Sequence, residues 1–189
     1  MKIKTPREKR ILIIKNIARW TLYYIFILFC FVIMTAGTSL KPILLVPAAL
    51  CIAMKNGQTG AALTGAACGF LIDISCGRLF GYNAVILTIF SVLVSLLFNL
   101  YFREKFISIL MITAAASFIQ GWLDYKFYYE IWNYENVDRI FSSVTIPVWG
   151  YTVASTAVVY IVIKLINHFL MPKKHLTLQE AIKAAPKNN

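Results

Sequence analysis

Few residues of this chain could make or break bonds, and their spacing argues against it. The two histidines, His168 and His175, fall at the end of the chain expected in the cytoplasm, far by topology from Asp73. The four cysteines, Cys30, Cys51, Cys68 and Cys76, form no C-x-x-C pair and accompany no metal or redox motif. Three of them lie in apolar runs, where cysteine is ordinarily a small buried hydrophobe, so no structural disulfide is expected. No H-E-x-x-H, G-x-S-x-G or Gly-rich phosphate loop is present. Serines and threonines are scattered without a partner base at helical spacing, and such hydroxyls more often bond their own backbone. Catalysis, a metal and a cofactor are therefore not expected.

Asp73 is the polar residue that most needs explaining. It stands near the end of an apolar segment, where the helix macrodipole disfavours a negative charge. Arg78, five residues on across the 75–77 turn, is the obvious partner. An Asp73–Arg78 latch fixing the turn into the next helix is one reading; a solvated carboxylate at the membrane edge is the other. Asn99 and Gln120 read as interhelical hydrogen bonders. Asp124 reads as the point where its helix leaves the membrane.

Leading up to Asp73, a small or acidic residue recurs at every fourth position: Gly57, Ala61, Gly65, Gly69, Asp73, Gly77 and Gly81. Four residues turn a helix by ~400°, so the first four positions form one slowly drifting stripe with almost no side-chain bulk. Small-xxx-small spacing lets helix backbones touch in lipid. The stripe is thus a packing surface, and Gly77, Arg78 and Gly81 belong with Asp73 to the turn that follows.

The elements that must position these residues are apolar helices. Hydrophobic residues make up 59% of the 189 and charged residues only 14%, against about 25% charged in soluble domains; mean hydropathy is +0.70. Runs of ~20 apolar residues span a hydrocarbon core of ~30 Å. Six segments follow: 17–36, 42–54, 57–75, 82–101, 106–123 and 144–163. The fold class expected is an all-α membrane protein, a polytopic bundle of about six transmembrane helices. It is flanked by a basic N-terminal segment (1–16) and a basic tail (172–189), with the membrane domain over 17–171. The second segment is short, reaching only ~20 Å at 1.5 Å per residue. To span, it must recruit residues 37–40 and let Lys41 and Lys55 snorkel. Pro42 and Pro47 predict a broken or tilted helix there, and a re-entrant hairpin with the third segment competes.

Charge sets the expected orientation. With the N-terminus in the cytoplasm, fifteen of the 19 Lys and Arg residues lie inside, and only Lys41, Arg78, Lys126 and Arg139 lie outside. Both termini are then cytoplasmic. The net charge of +11 reads as topology and contact with anionic lipid headgroups, not as nucleic-acid binding. The first segment reads as a signal anchor, since no clean A-x-A site follows it. Thr5-Pro6-Arg7-Glu8 has the form of a capping box with proline at the first helical position. Trp20, Tyr23 and Tyr24 suit an interfacial belt. Thr177 and Glu180 open a second, short capping-box turn in a tail that reads as frayed or as a docking peptide. The outer connection, 125–143, is too aromatic for a flexible linker. It reads either as an amphipathic helix at the headgroups or as a partner loop offering Tyr128, Tyr129, Trp132 and Tyr134.

The run from Gly57 to Asp73, followed by Gly77-Arg78-Leu79-Phe80-Gly81-Tyr82-Asn83-Ala84, resembles the signature of the rod shape-determining protein MreD family. That family has a Gly-rich third helix ending in Asp, a short turn, and a Leu/Phe-Gly-x-x-Ala entry to the next helix. Gly65, Gly69, Asp73, Gly77 and Gly81 fall where the pattern wants them; the aromatic outer loop and the long basic tails depart from it. The resemblance implies a non-enzymatic component of the bacterial cell-wall elongation machinery in the cytoplasmic membrane. It would bind MreC and so link peptidoglycan synthesis to MreB. It also implies a fold similar to the substrate-binding subunits of energy-coupling-factor vitamin transporters. Such a subunit, with 125–143 as a lid, is the alternative function.

Overall fold

The computed structural model describes residues 6–36, 41–77, 79–100, 106–130 and 141–170. Among them the chain is helical, without strands: α1 (Pro6–Thr35), α2 (Leu45–Lys55), α3 (Gln58–Cys76), α4 (Tyr82–Leu100), α5 (Phe106–Tyr125) and α6 (Ile146–Leu170). Single π-helical turns, Lys126–Glu130 and Phe141–Thr145, extend α5 and lead into α6. Five helices are long and apolar enough to cross a membrane; α2 is not among them. α3 and α4, at 19 residues each, run to about 28 Å, close to the hydrocarbon thickness.

The surface is apolar and the interior is partly polar. Ile17, Ile25, Phe29, Leu63, Ile89 and Phe169 point outward, whereas Thr64, Asn83, Ser91, Ser95, Gln120, Thr152 and Asn167 are buried. Water would not favour that distribution, but lipid does, because apolar side chains lose nothing there and buried polar groups join the helices.

α2 is the hub. Every residue from Leu45 to Met54 is buried, and the helix packs against each of the other five. A helix that is hydrophobic all round belongs in an interior. The proline expectation is corrected here. Pro42 precedes the helix and Pro47 sits in its first turn, where an amide has no intrahelical acceptor to lose, so α2 is unbroken. At eleven residues it is only about 16 Å long, which leaves its backbone ends inside the bundle. Non-helical backbone is tolerated at that depth only when protein groups meet it, and they do. The Ile43 N–H donates to Thr152 Oγ1 of α6 (3.0 Å), and Ser95 Oγ of α4 donates to the Asn56 carbonyl (2.8 Å). Asn56 Nδ2 turns back onto the Ile52 carbonyl (2.7 Å).

At the same end of α2, Tyr23 is fully buried rather than lying in an interfacial belt. Its hydroxyl donates to Asn167 Oδ1 of α6. Trp20 lies over Gly60 of α3, and only Tyr24 of the three aromatics is exposed. Helix α1 starts at Pro6; Thr5 and the 177–180 turn lie outside the described residues. All four cysteines are free thiols, three buried and Cys76 exposed.

Candidate functional site

The stripe residues serve the α3–α4 pair, the most extensive helix contact in the bundle. A Cβ on Gly65 would come 2.7 Å from Ser91 Oγ and 2.8 Å from the Leu87 carbonyl oxygen. One on Gly69 would fall on the backbone of Ala84, 2.6 Å from the Asn83 carbonyl oxygen. The two backbones are therefore in direct contact near the start of α4. Ala61 is buried in the core. Gly57 stands apart: it precedes α3 in extended conformation with open space about it, so it starts the helix and packs against nothing. Gly60, off the stripe, is the glycine that meets α1.

The turn between the helices uses two left-handed glycines. Gly77 (φ 60°) ends α3, its N–H returning to the Asp73 carbonyl, and Gly81 (φ 97°) precedes α4. Only glycine adopts these angles without strain.

Asp73 is 1% exposed and faces the beginning of α4. Its Oδ2 accepts the Gly81 N–H (2.9 Å), and its Oδ1 accepts the Asn83 N–H (3.1 Å) and Asn83 Nδ2 (2.8 Å). The carboxylate of one helix thus caps the next. The unfavourable dipole end of α3 is offset by the favourable N-terminus of α4 and its unsatisfied amides. Arg78 lies outside the described residues.

The chain of bonds continues inward, and its direction is set by chemistry. A carboxylate only accepts, so Asn83 must turn its amide nitrogen to Asp73 and its oxygen away. That oxygen accepts Gln120 Nε2 of α5 at 2.7 Å. Gln120 is then left with Oε1, which is buried and has no hydrogen-bond partner. Gln120 lines a cavity of about 300 Å³ at this end of the bundle, between α2, α5 and α6, whose wall also includes Lys41, Ser117, Asp124 and Trp149. Gln120 is thus the interhelical bonder expected. Asn99 instead bonds within α4, to Ser95 Oγ (3.2 Å). Asp124 is buried on the cavity wall, one residue before α5 ends at Tyr125 and passes into the π-helical turn that runs to Glu130.

Of the aromatic connection, Tyr128 is tied to the same turn. Its hydroxyl accepts the Leu79 N–H (3.0 Å), and its ring meets Tyr82 edge-on. Nothing is described of the Tyr129 side chain, and Trp132 and Tyr134 lie outside the described residues. Among the described residues no group of His, Cys, Asp or Glu is arranged to hold a metal ion.

Asn83 and the Asn56–Ser95, Tyr23–Asn167 and Ile43–Thr152 pairs were not singled out by sequence reasoning. Asn83 was the most accessible, because it lies inside the motif that made Asp73 conspicuous. Comparison with protein-family models, with curated proteins and with solved structures finds no match for this chain.

Proposed function

We propose that the chain is a non-enzymatic component of the bacterial cell-wall elongation machinery, of the MreD type. In this reading it is embedded in the cytoplasmic membrane with both termini inside and α2 as the sixth helix of the bundle. Its fold would be akin to that of the energy-coupling-factor substrate-binding subunits. It would bind MreC and couple peptidoglycan synthesis to MreB, with anionic headgroups at its basic ends. The supporting observation is that the five residues that fall where the family pattern wants them, Gly65, Gly69, Asp73, Gly77 and Gly81, serve one unit. Gly65 and Gly69 admit α4, Gly77 and Gly81 shape the turn, and Asp73 caps the incoming helix. A motif built to hold one hairpin rigid suits a scaffold, whose output is a fixed surface for a partner.

A second reading, a solute-binding subunit of a vitamin-type transporter, draws on the cavity beside Gln120. Its volume of about 300 Å³ falls at the lower end of small-molecule sites, and a buried acceptor faces it. Affinity purification from the native membrane separates the two. Co-purified MreC supports the scaffold; an ATPase module with a bound solute supports transport. Recovery of neither would count against both.

A further inference from the structure

The polar chain that starts at Asp73 ends on a cavity, and it ends there as an acceptor. Asp73 only accepts, so Asn83 gives it both its N–H and Nδ2 and keeps Oδ1 for Gln120 Nε2, 2.7 Å away. Turning the Gln120 amide over would set its oxygen against the Asn83 oxygen, so its orientation is fixed from the carboxylate onward. Gln120 is 1% exposed and its Oε1 has no hydrogen-bond partner. That oxygen is the polar atom this side chain has left for the cavity of about 300 Å³ that it lines. Other polar groups on the wall have spent their protons within the bundle. The hydroxyls of Ser75, Ser117 and Thr152 donate to the carbonyls of Ile72 (3.0 Å), Thr113 (2.7 Å) and Val148 (2.7 Å). Trp149 Nε1 donates to the Ala114 carbonyl (3.0 Å), and the Lys41 ammonium to that of Ile33 (3.3 Å). What the hydroxyls leave to the cavity is oxygen lone pairs. The site asks nothing of Asp124 or Tyr125, which line the wall and have interactions of their own in the fold.

Such a wall selects for donors. One water would meet Gln120 Oε1, but an ordered water needs about two to four polar partners, and the side chains of Ile43, Val46 and Val148 on the same wall offer none. The remaining volume suits an apolar body. Lys41 and Asp124 place one base and one acid on the wall, so neither sign of ligand charge is called for. We propose that this cavity binds a small, uncharged amphipathic molecule that gives an N–H to Gln120 Oε1 and lays its apolar part along Val46, Val148 and Trp149. N–H heterocycles and primary amides are the fitting class. A site built around a buried acceptor rejects the analogue that lacks the proton, because the acceptor is then left unpaired. This site supplies the polar contact for the solute of the transporter reading, and rests on that reading only in that a solute enters the cavity.

Cys76, exposed and on the same wall, reports occupancy. The test is the rate at which a maleimide labels it in the full chain in detergent, titrated with indole and with benzofuran. The two probes match in shape but carry an N–H and a bare oxygen at the same ring position. Indole should slow labelling, with half-protection at a concentration roughly tenfold or more below that for benzofuran. Gln120→Met keeps the side-chain length without the acceptor and should raise the indole value to that of benzofuran. It also leaves Asn83 Oδ1 unbonded, so Val148→Phe goes with it. That variant fills the cavity, touches none of the bonds from Asp73 to Gln120, and should abolish protection by indole. Equal protection by both probes overturns the donor site while leaving a solute cavity in place. Protection by neither overturns the site and removes the cavity from the transporter reading. An indole value unchanged in Gln120→Met or in Val148→Phe overturns the assignment as well.

Discussion

Replacing Asp73 by Leu should be the most damaging single change at the α3–α4 turn, and its size can be worked from the bonds it makes. The carboxylate accepts from the Gly81 N–H, the Asn83 N–H and Asn83 Nδ2. Interhelical hydrogen bonds in membranes average only about 0.6 kcal/mol, because the unfolded chain in lipid finds other partners; three at that rate give roughly 2 kcal/mol. Orphaned buried donors set a higher scale, about 1–3 kcal/mol each. The leucine also removes a helix cap, worth about 0.5–2 kcal/mol. With the acceptor charged and 1% exposed, the upper part of this range applies, and a loss of about 3–5 kcal/mol is expected. Asp73→Asn keeps one accepting oxygen but presents a nitrogen to a donor, so about half that loss is expected, roughly 1–3 kcal/mol. Equilibrium unfolding in mixed micelles, followed by helical circular dichroism, gives both values. A loss below about 0.5 kcal/mol for Asp73→Leu would refute the reasoning. It would mean that the α4 amides find water or another acceptor at no cost.

Gly69→Ala should destabilise by about 1–3 kcal/mol, because the added methyl meets backbone that cannot step aside. Ser91→Gly should partly rescue Gly65→Ala but not Gly69→Ala, since Ser91 crowds only the former; unfolding midpoints of the double variants check this. Gly57→Ala, in open space, should cost less than about 1 kcal/mol. Tyr23→Phe should lower stability by about 1 kcal/mol by orphaning Asn167 Oδ1, measured in the same assay. In intact cells, a membrane-impermeant maleimide should label Cys76 alone among the four cysteines, since it lies at the end of α3 assigned to the outer face. Labelling only after the inner face is exposed would reverse the proposed orientation.

The parts of this architecture that were legible from the residues are those written locally. The four-residue recurrence of small side chains marks a face of α3 without reference to anything else, and the glycine-flanked turn follows from spacing. What Asp73 touches was not legible. A charge five residues away is visible in a sequence, but the amides of an incoming helix carry no side-chain signal, and Gln120 joins them only through folding. α2 misled for a related reason. Thirteen apolar residues with two prolines look like a poor membrane span, and nothing local says that five helices will surround it. Tyr23 carries the composition of an interfacial residue, and only its meeting with Asn167, 144 positions later, makes it a core one. Gly60 lies off the stripe, and its role depends on where α1 brings Trp20.

The burial of α2 also dictates an order of assembly. As the chain emerges from the ribosome, α2 is made second, yet the groups that satisfy its ends arrive much later: Ser95 with α4, and Thr152, 109 residues after Ile43, with α6. Too short to settle across the bilayer alone, and with its backbone ends open until then, α2 cannot reach its final surroundings before α6 is inserted. The bundle therefore closes around α2 only after α6 has been made. A chain truncated ahead of α6 would leave exposed the very segment that the insertion machinery has least reason to hold.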